Sequence, residues 1–189
     1  MMRFIQIAII TAGLALGLGI AVADEPHVKP VTDYVLANVK PWLSDPLVVA
    51  AINKQNVEYA KLKNYDINKL DNGWIDRSDK KLIASKMNNE LSAFLRKKKE
   101  SANGVIFEIF VFDNKGLNVG QTDLTQDFNQ GDEAKYWKTY QVGPDAIFVD
   151  KVEKDNGRNI SQASLTIKDP ATGKAIGAVT VGIDVDRLK

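Results

Sequence analysis

The chain has 189 residues, of which 44% are hydrophobic and 26% are charged, and these values are typical of one globular domain. Its 25 Lys and Arg residues nearly balance its 24 Asp and Glu residues, so charge gives no reason to expect nucleic acid or an anionic membrane surface as a partner. The absence of cysteine excludes thiol catalysis, cysteine metal sites and disulfides.

The N-terminal stretch is typical of a secretory signal peptide. Arg3 supplies one positive charge, a long apolar run follows, and Ala21-Val22-Ala23 forms a small-x-small cleavage site before polar residues. This layout predicts a cleaved signal peptide over residues 1–23, a single domain over residues 24–189, and a periplasmic location. The alternative is an uncleaved inner-membrane anchor, since the apolar run is close to the ~20 residues that cross a bilayer.

Two helices are predicted next. The first covers Val31–Leu43 and is interrupted at Pro41. Ser44-Asp45-Pro46 then supplies a capping side chain and a first-turn proline, which begin a second helix that extends to about Leu62.

A connector and a further helix follow. Residues 63–75, "KNYDINKLDNGWI", are rich in Asn and Asp and indicate a turn-rich connector. Ser78 is placed to cap a helix whose apolar residues recur every three or four positions as far as Leu95. The basic run 96–99 suits the negative end of that helix, which we favour over a nucleic-acid contact.

The C-terminal half predicts five β-strands joined mostly by short turns, with β-branched and aromatic residues between turn residues. Strands that neighbour each other in sequence form antiparallel pairs, so the predicted fold class is α+β with helices on one face of an antiparallel sheet. The predicted strands are Val105–Asp113, 117–122, Ala146–Asp155, Ile160–Asp169 and Ala175–Val185.

The order of these elements and four sequence segments resemble Cache domains, the extracytoplasmic relatives of PAS sensor domains. The segments are "LDNGW", "EIFVFDNKGLNVGQT", "QGDEAKYWKTY" and "DPATGKAIGAVTVGIDVDRL". The resemblance is greatest to the small exported type with a single module. It implies a five-stranded antiparallel PAS-like sheet, a long N-terminal helix packed across one face, and a small-molecule pocket between the other face and the loops.

The resemblance also implies a set of ligand-binding residues. Lys135 and Trp137 match the positions that hold a ligand carboxylate, while Phe148, Asp150 and Asp184 match an aromatic and two acids that face a ligand ammonium.

Tyr136 would add an apolar wall beside Trp137. The chain departs from the amino-acid-binding pattern, because Lys135 cannot form the bidentate contacts of arginine and Lys138 stands where a tyrosine is expected. An amino acid, an amine and a small carboxylate therefore all stay open as ligands. From the residues alone, the segment 132–140 is equally well explained as an amphipathic helix that only packs.

An enzyme is not predicted. His27 is the one histidine and lies in a short leader before the expected folded body, and no glycine-rich phosphate loop is present. The sequence predicts a non-catalytic sensor without cofactor or metal, which passes its ligand state to a membrane receptor or kinase, with a homodimer also open. The alternative is a ligand-free interaction or structural module with the same fold.

Overall fold

The structure, a computed structural model, describes residues 25–188, so the predicted signal peptide over residues 1–23 lies outside the described part. Six α-helices and five strands follow each other in the described residues. The helices are α1 (Val28–Asn38), α2 (Pro46–Glu58), α3 (Asn64–Ile75), α4 (Lys80–Met87), α5 (Glu90–Ser101) and α6 (Ala134–Trp137). The strands are β1 (Ile106–Asp113), β2 (Asn118–Gln121), β3 (Ile147–Asp155), β4 (Arg158–Lys168) and β5 (Ala175–Asp184).

The strands form one antiparallel sheet in the order β2-β1-β5-β4-β3, which places the last strand at the centre. The strand β5 pairs with β1 on one side and with β4 on the other, and its side chains are almost entirely buried. The predicted α+β class and five-stranded antiparallel sheet are confirmed.

The main core lies between one face of the sheet and the N-terminal helices. Alternate residues of β5, Val179, Val181 and Ile183, are fully buried in the same cluster as Val48 and Ile52 of α2. This alternation follows from the two-residue period of a strand, which sends odd residues of β5 toward the helices and even residues to the opposite face. The opposite face therefore remains available for a site.

The N-terminal helical region bends sharply instead of running straight. A short 3₁₀ turn at Lys40–Trp42 follows α1, and Asp45 then accepts the Leu47 amide N–H at 2.9 Å to cap α2. The segments Val28–Trp42 and Pro46–Glu58 meet at 82°. Within residues 25–188, no single helix has the length and apolar composition of a membrane span, and these two pass that test only as a bent pair.

The prediction of a turn-rich connector over residues 63–75 is wrong, because residues 64–75 form the helix α3. The side chain of Asp66 accepts the Lys63 amide N–H at 3.0 Å and satisfies the helix start. Ile67, Leu70 and Trp74 lie at helical spacing and pack into one apolar cluster. This tertiary packing outweighs the low helix propensity of the Asn and Asp residues.

The helix predicted to begin after Ser78 is divided into two helices, α4 and α5, and α4 starts one residue later than expected. Asp79, not Ser78, caps α4 by accepting the Leu82 amide N–H at 2.9 Å. The chain then leaves the helix at Asn88, and the side chain of Asn89 accepts the Ser92 amide N–H at 2.8 Å to begin α5. Two asparagines in succession favour such a break, since their side chains bond locally to the backbone.

The expectation that His27 lies in a short leader outside the folded body is wrong as well. Its imidazole is largely buried, with a side chain that is 10% exposed, and its Nε2 donates to the carbonyl oxygen of Asp150 at 2.8 Å. The start of α1 is thereby attached to β3, which is an edge strand of the sheet.

Candidate functional site

A cavity of about 670 Å³ lies on the sheet face opposite the helices. Its floor is formed by β1, β4 and β3, and its wall by the loop that connects β2 to α6. Gly182 of β5 leaves room beneath it, since a Cβ there would lie 2.8 Å from Cγ of Glu108. This volume is in the range of pockets that enclose small organic ligands.

The wall of the cavity is held from outside by α3. The carbonyl oxygen of Thr125 accepts the indole N–H of Trp74 at 3.0 Å and two guanidinium N–H groups of Arg77 at 3.2 Å. A carboxylate oxygen of Asp71 accepts the amide N–H groups of Phe128 and Asn129 at 2.8 and 3.0 Å. The "LDNGW" segment thus fixes the backbone of the loop instead of lining the cavity.

A β-bulge shapes the opposite side of the cavity. Val149 pairs with Ala163 and Val152 pairs with Ser161, so two residues of β3, Asp150 and Lys151, face the single residue 162 of β4. The carbonyl oxygen of Asp150, which the bulge displaces from the ladder, accepts bonds from the Ser161 hydroxyl at 2.7 Å and from His27. These bonds stabilise the bulge and hold the Asp150 side chain at the cavity.

The lining of the cavity is strongly acidic. Two lysines, Lys135 and Lys154, face six carboxylates there. The six are Glu108, Asp127, Glu133, Asp150, Glu153 and Asp155. Such an excess of one charge in a concave site produces a potential that attracts the opposite charge.

Burial perturbs two of these acids. Desolvation raises the pKa of Glu108, against the opposing effect of the Gln162 amide, which donates to Glu108 Oε1 at 2.9 Å. Desolvation also raises the pKa of Asp127, and the negative charge of Glu133 raises it further. A cation that enters between such carboxylates stabilises their charged form, because they are desolvated and close to one another.

Lys135 is held inside the acidic wall. Its ammonium lies 2.7 Å from a carboxylate oxygen of Glu133, donates to Gln130 Oε1 at 3.2 Å, and lies 5.3 Å from the centre of the Phe110 ring. Its side chain is only 11% exposed. Lys135 therefore offers a fixed positive charge at one end of an otherwise negative cavity.

The structure brings two of the six predicted ligand-binding residues, Lys135 and Asp150, into the lining of this cavity. Tyr136 lies behind the lining, where its ring stacks on Tyr140 with centroids 5.4 Å apart and its hydroxyl donates to the Asn114 carbonyl at 2.9 Å.

The other three predicted residues lie outside the lining. Trp137 is 50% exposed and donates its indole N–H to the Gly131 carbonyl at 3.0 Å. The ring of Phe148 lies 4.3 Å beneath the ammonium of Lys138. Asp184 has the expected sheet face but is buried against arginines, with Oδ2 3.2 Å from Arg187 Nε and 3.8 Å from an Arg158 nitrogen.

Sequence analysis missed five of the six acids that line the cavity. Only Glu108 left a signal, since it is the one charged residue within the apolar run Val105–Phe112. A buried charge in a strand interior is costly unless it has a function or a partner, and this argument could have identified it. Within residues 25–188, no cluster of three or more His, Cys, Asp or Glu side chains has the arrangement of a metal site.

Comparison with solved structures identifies the fold. No family model matches the sequence, and no curated protein matches it. The sensor domain of E. coli DcuS superposes with a TM-score of 0.54 at 12% identity, over 87% of this chain and 96% of that domain. The protein therefore has the Cache fold, as the resemblance implied.

Two further sensor domains are similar over a smaller share of their own length. The ligand-binding domain of the Campylobacter jejuni chemoreceptor Tlp3, solved with 4-methylisoleucine, has a TM-score of 0.43 at 17% identity, over 85% of this chain and 55% of that one. The sensor domain of the V. cholerae histidine kinase DctB has a TM-score of 0.38 at 10% identity, over 83% and 57%. This chain thus spans little more than half of those two domains.

Proposed function

We propose that the protein is a periplasmic sensor module that binds a small organic cation, an amine or an amino acid held by its ammonium, in the cavity on the sheet face. The observation that carries this proposal is the lining itself, in which six carboxylates face two lysines. An ammonium that enters this site gains charge-assisted hydrogen bonds with carboxylates that are already partly desolvated. A free dicarboxylate would instead meet repulsion from the same groups.

Asp150 and Lys135 have different roles in this proposal. Asp150, together with Glu153 and Asp155 of the same strand, contacts the ammonium. Lys135 exchanges its bond with Glu133 for a ligand carboxylate when the ligand is an amino acid. Loss of the Lys135 charge therefore weakens amino-acid binding and strengthens binding of a simple amine.

A sensor without catalysis must transmit its state to a partner. The DcuS match is with a sensor domain, and in this proposal the partner of the present module is a membrane receptor or kinase. The attachment of α1 to the carbonyl of Asp150 through His27 supports a route from the cavity to the N-terminal helix. A signal peptide over residues 1–23 and export to the periplasm belong to the same proposal, and the N-terminal mass of the protein isolated from cells tests cleavage before Asp24.

The direct test is thermal unfolding of the purified protein with putrescine, individual amino acids and short dicarboxylates. A ligand at ~100 times its dissociation constant stabilises the native state by about 2.7 kcal/mol, which is a shift of several degrees for a domain of this size. We expect putrescine or an amino acid to raise the midpoint, and Asp150→Asn and Glu153→Gln to abolish the shift. Asp33→Asn is the matched control, because Asp33 is an exposed acid that pairs with Lys29 on α1 at 2.6 Å.

Three outcomes separate the candidate functions. A shift by amines or amino acids that depends on Asp150 supports the proposal. A shift by dicarboxylates alone overturns the cationic ligand. The absence of any shift supports the alternative in which the same fold is a ligand-free interaction module or homodimer, and sedimentation then measures its oligomeric state.

A further inference from the structure

A second cleft lies on the other side of the sheet, among the helices. It has a volume of about 600 Å³ and is bordered by α2, α4, α5 and β2. Its inner wall is apolar and includes Leu47, Ala51, Leu91 and Val119. The exposed residues Lys54 and Ser85 stand at its mouth, so the cleft is accessible to solutes.

A lysine is the one charged side chain among the buried residues that line this cleft. Lys86 is 8% exposed, and its ammonium lies 5.0 Å from the centre of the Tyr59 ring and 5.9 Å from that of Phe128. Among residues 25–188, the ammonium has a single hydrogen-bond acceptor, Gln55 Oε1 at 2.5 Å, and no carboxylate within salt-bridge distance. An ammonium has three donors, so this buried cation retains capacity for an anion.

The nearest buried acid does not neutralise Lys86 by direct contact. Gln55 stands between the two groups, since its Nε2 donates to Asp113 Oδ2 at 2.9 Å while its Oε1 accepts from Lys86. Asp113 also accepts the amide N–H groups of Lys115 and Leu117 at 2.8 and 3.0 Å, so its oxygens are occupied by the β1–β2 turn. A buried charge whose counterion lies one side chain away is incompletely compensated.

We propose that this cleft is a second ligand site that takes a small aliphatic carboxylate, whose anionic group contacts Lys86 and whose hydrocarbon part contacts Leu47, Leu91 and Val119. The apolar wall buries the chain of such a ligand, and the buried ammonium supplies the charged contact at the inner end. The other charged residues of the lining, Lys54, Glu58 and Glu90, are exposed to solvent. Glu58 at the mouth is paired with Lys54 at 3.3 Å, which reduces its repulsion of an incoming anion. The site differs from the acidic cavity in sheet face, charge and ligand class.

The proposal predicts a pH dependence opposite to that of an amine site. Desolvation lowers the pKa of Lys86 to about 8, while Asp113 and Glu58 act to raise it and Lys54 acts to lower it. Tyr59 also faces the ammonium, and burial raises the pKa of its hydroxyl, so it stays neutral in this range. An anion needs the protonated lysine, so carboxylate affinity falls as the pH rises through about 8.

The test is calorimetric titration of the full protein with sodium hexanoate, with hexanol and hexylamine as probes of the same chain length. We expect saturable binding of hexanoate only, with affinity reduced at least about tenfold in Lys86→Met. Lys81→Met is the matched control, since Lys81 is an exposed lysine of the same helix that does not line the cleft, and it should retain binding. Asp150→Asn should also retain binding, which separates this site from the acidic cavity.

The wild-type pH series keeps the proposal testable if Lys86→Met does not fold. Hexanoate affinity that declines from about pH 7 to about pH 9 supports contact with Lys86. The absence of saturable hexanoate binding, equal binding of hexanol, or an affinity that does not change over this range each overturns the proposal.

Discussion

The indole N–H of Trp74 donates to the carbonyl oxygen of Thr125 at 3.0 Å, and this bond connects α3 to the loop that walls the acidic cavity. Trp74 itself is fully buried against Phe128, with ring centroids 5.5 Å apart. A residue that is part of an apolar cluster therefore also positions the backbone of a candidate site.

Replacement of Trp74 by phenylalanine should weaken ligand binding as well as stability. The variant retains an aromatic ring but loses the donor to Thr125, and a lost hydrogen bond costs about 1 kcal/mol before any packing defect. Urea unfolding and ligand-induced thermal shifts measure the two effects. Trp42→Phe is the control, because the Trp42 indole donates to the Asn38 carbonyl at 3.0 Å within its own helical segment. Equal loss of ligand affinity in both variants would contradict a positioning role for Trp74.

The affinity of the acidic cavity for an amine should rise as the pH increases above about 4, the ordinary pKa of a carboxylate. Burial raises the pKa of Glu108 and of Asp127, so the native protein holds these protons more strongly than the unfolded chain. The contribution of these two acids to stability is present at acid pH and is lost as the pH rises through their raised pKa values. A cation displaces these protons, so calorimetry in buffers of different ionisation enthalpy should detect proton release on binding.

Glu108→Gln is the informative variant for this pH dependence. It removes one titrating group and should flatten the pH profile of amine affinity. Asp33→Asn should leave the profile unchanged, because Asp33 is an exposed residue of α1 that does not line the cavity. A profile that is flat already in the wild type would show that neither Glu108 nor Asp127 titrates on binding.

The lowered pKa of Lys86 predicts that the protein becomes more stable at alkaline pH. Its pKa is about 8 in the native state against 10.5 for an ordinary lysine, so the unfolded chain binds more protons between these values and the free energy of unfolding increases with pH. The free energy of unfolding should increase by about 2 kcal/mol from pH 7 to pH 10, because the unfolded chain binds more protons than the native state over this range. The difference between wild type and Lys86→Met in urea unfolding isolates it from other groups. A difference that is independent of pH would show an unperturbed lysine.

Gly116→Ala should destabilise the β1–β2 turn far more than an ordinary glycine replacement. Gly116 has φ +84°, and a Cβ there would overlap the backbone of Gly131. Left-handed backbone costs an alanine about 1 kcal/mol, and the steric overlap adds to this, so we expect about 3 kcal/mol or more in urea unfolding. Gly157→Ala is the control, since Gly157 has φ +77° with no atom within 4 Å of the added Cβ. Equal losses would exclude the close approach as the cause.

The sheet and one part of the site could be predicted from the sequence, and the bulge in β3 explains why Glu153 and Asp155 could not. A two-residue period from Phe148 predicts that Asp150 shares its face, and the structure places Asp150 at the cavity. The same period continued along the strand sends Glu153 and Asp155 to the helix face. The extra residue at 150–151 reverses this, so both acids line the cavity.

The loop side of the cavity could not be predicted for a different reason. Asp127 and Glu133 are brought to β1 by long-range bonds from α3, and no local pattern specifies such contacts. Residues 64–75 were predicted as a connector because local propensity was weighed without the apolar cluster around Trp74.

The bulge makes β3 tolerant of a change in length at one point. Deletion of Lys151 would leave Asp150 alone opposite residue 162, while Val149 still pairs with Ala163 and Val152 with Ser161, so Glu153 and Asp155 would keep their face at the cavity. One in-frame codon could thus be lost here without a change in the charge of the lining. Comparison of related genes without a gap at this point would assign Glu153 and Asp155 to the wrong face of the strand.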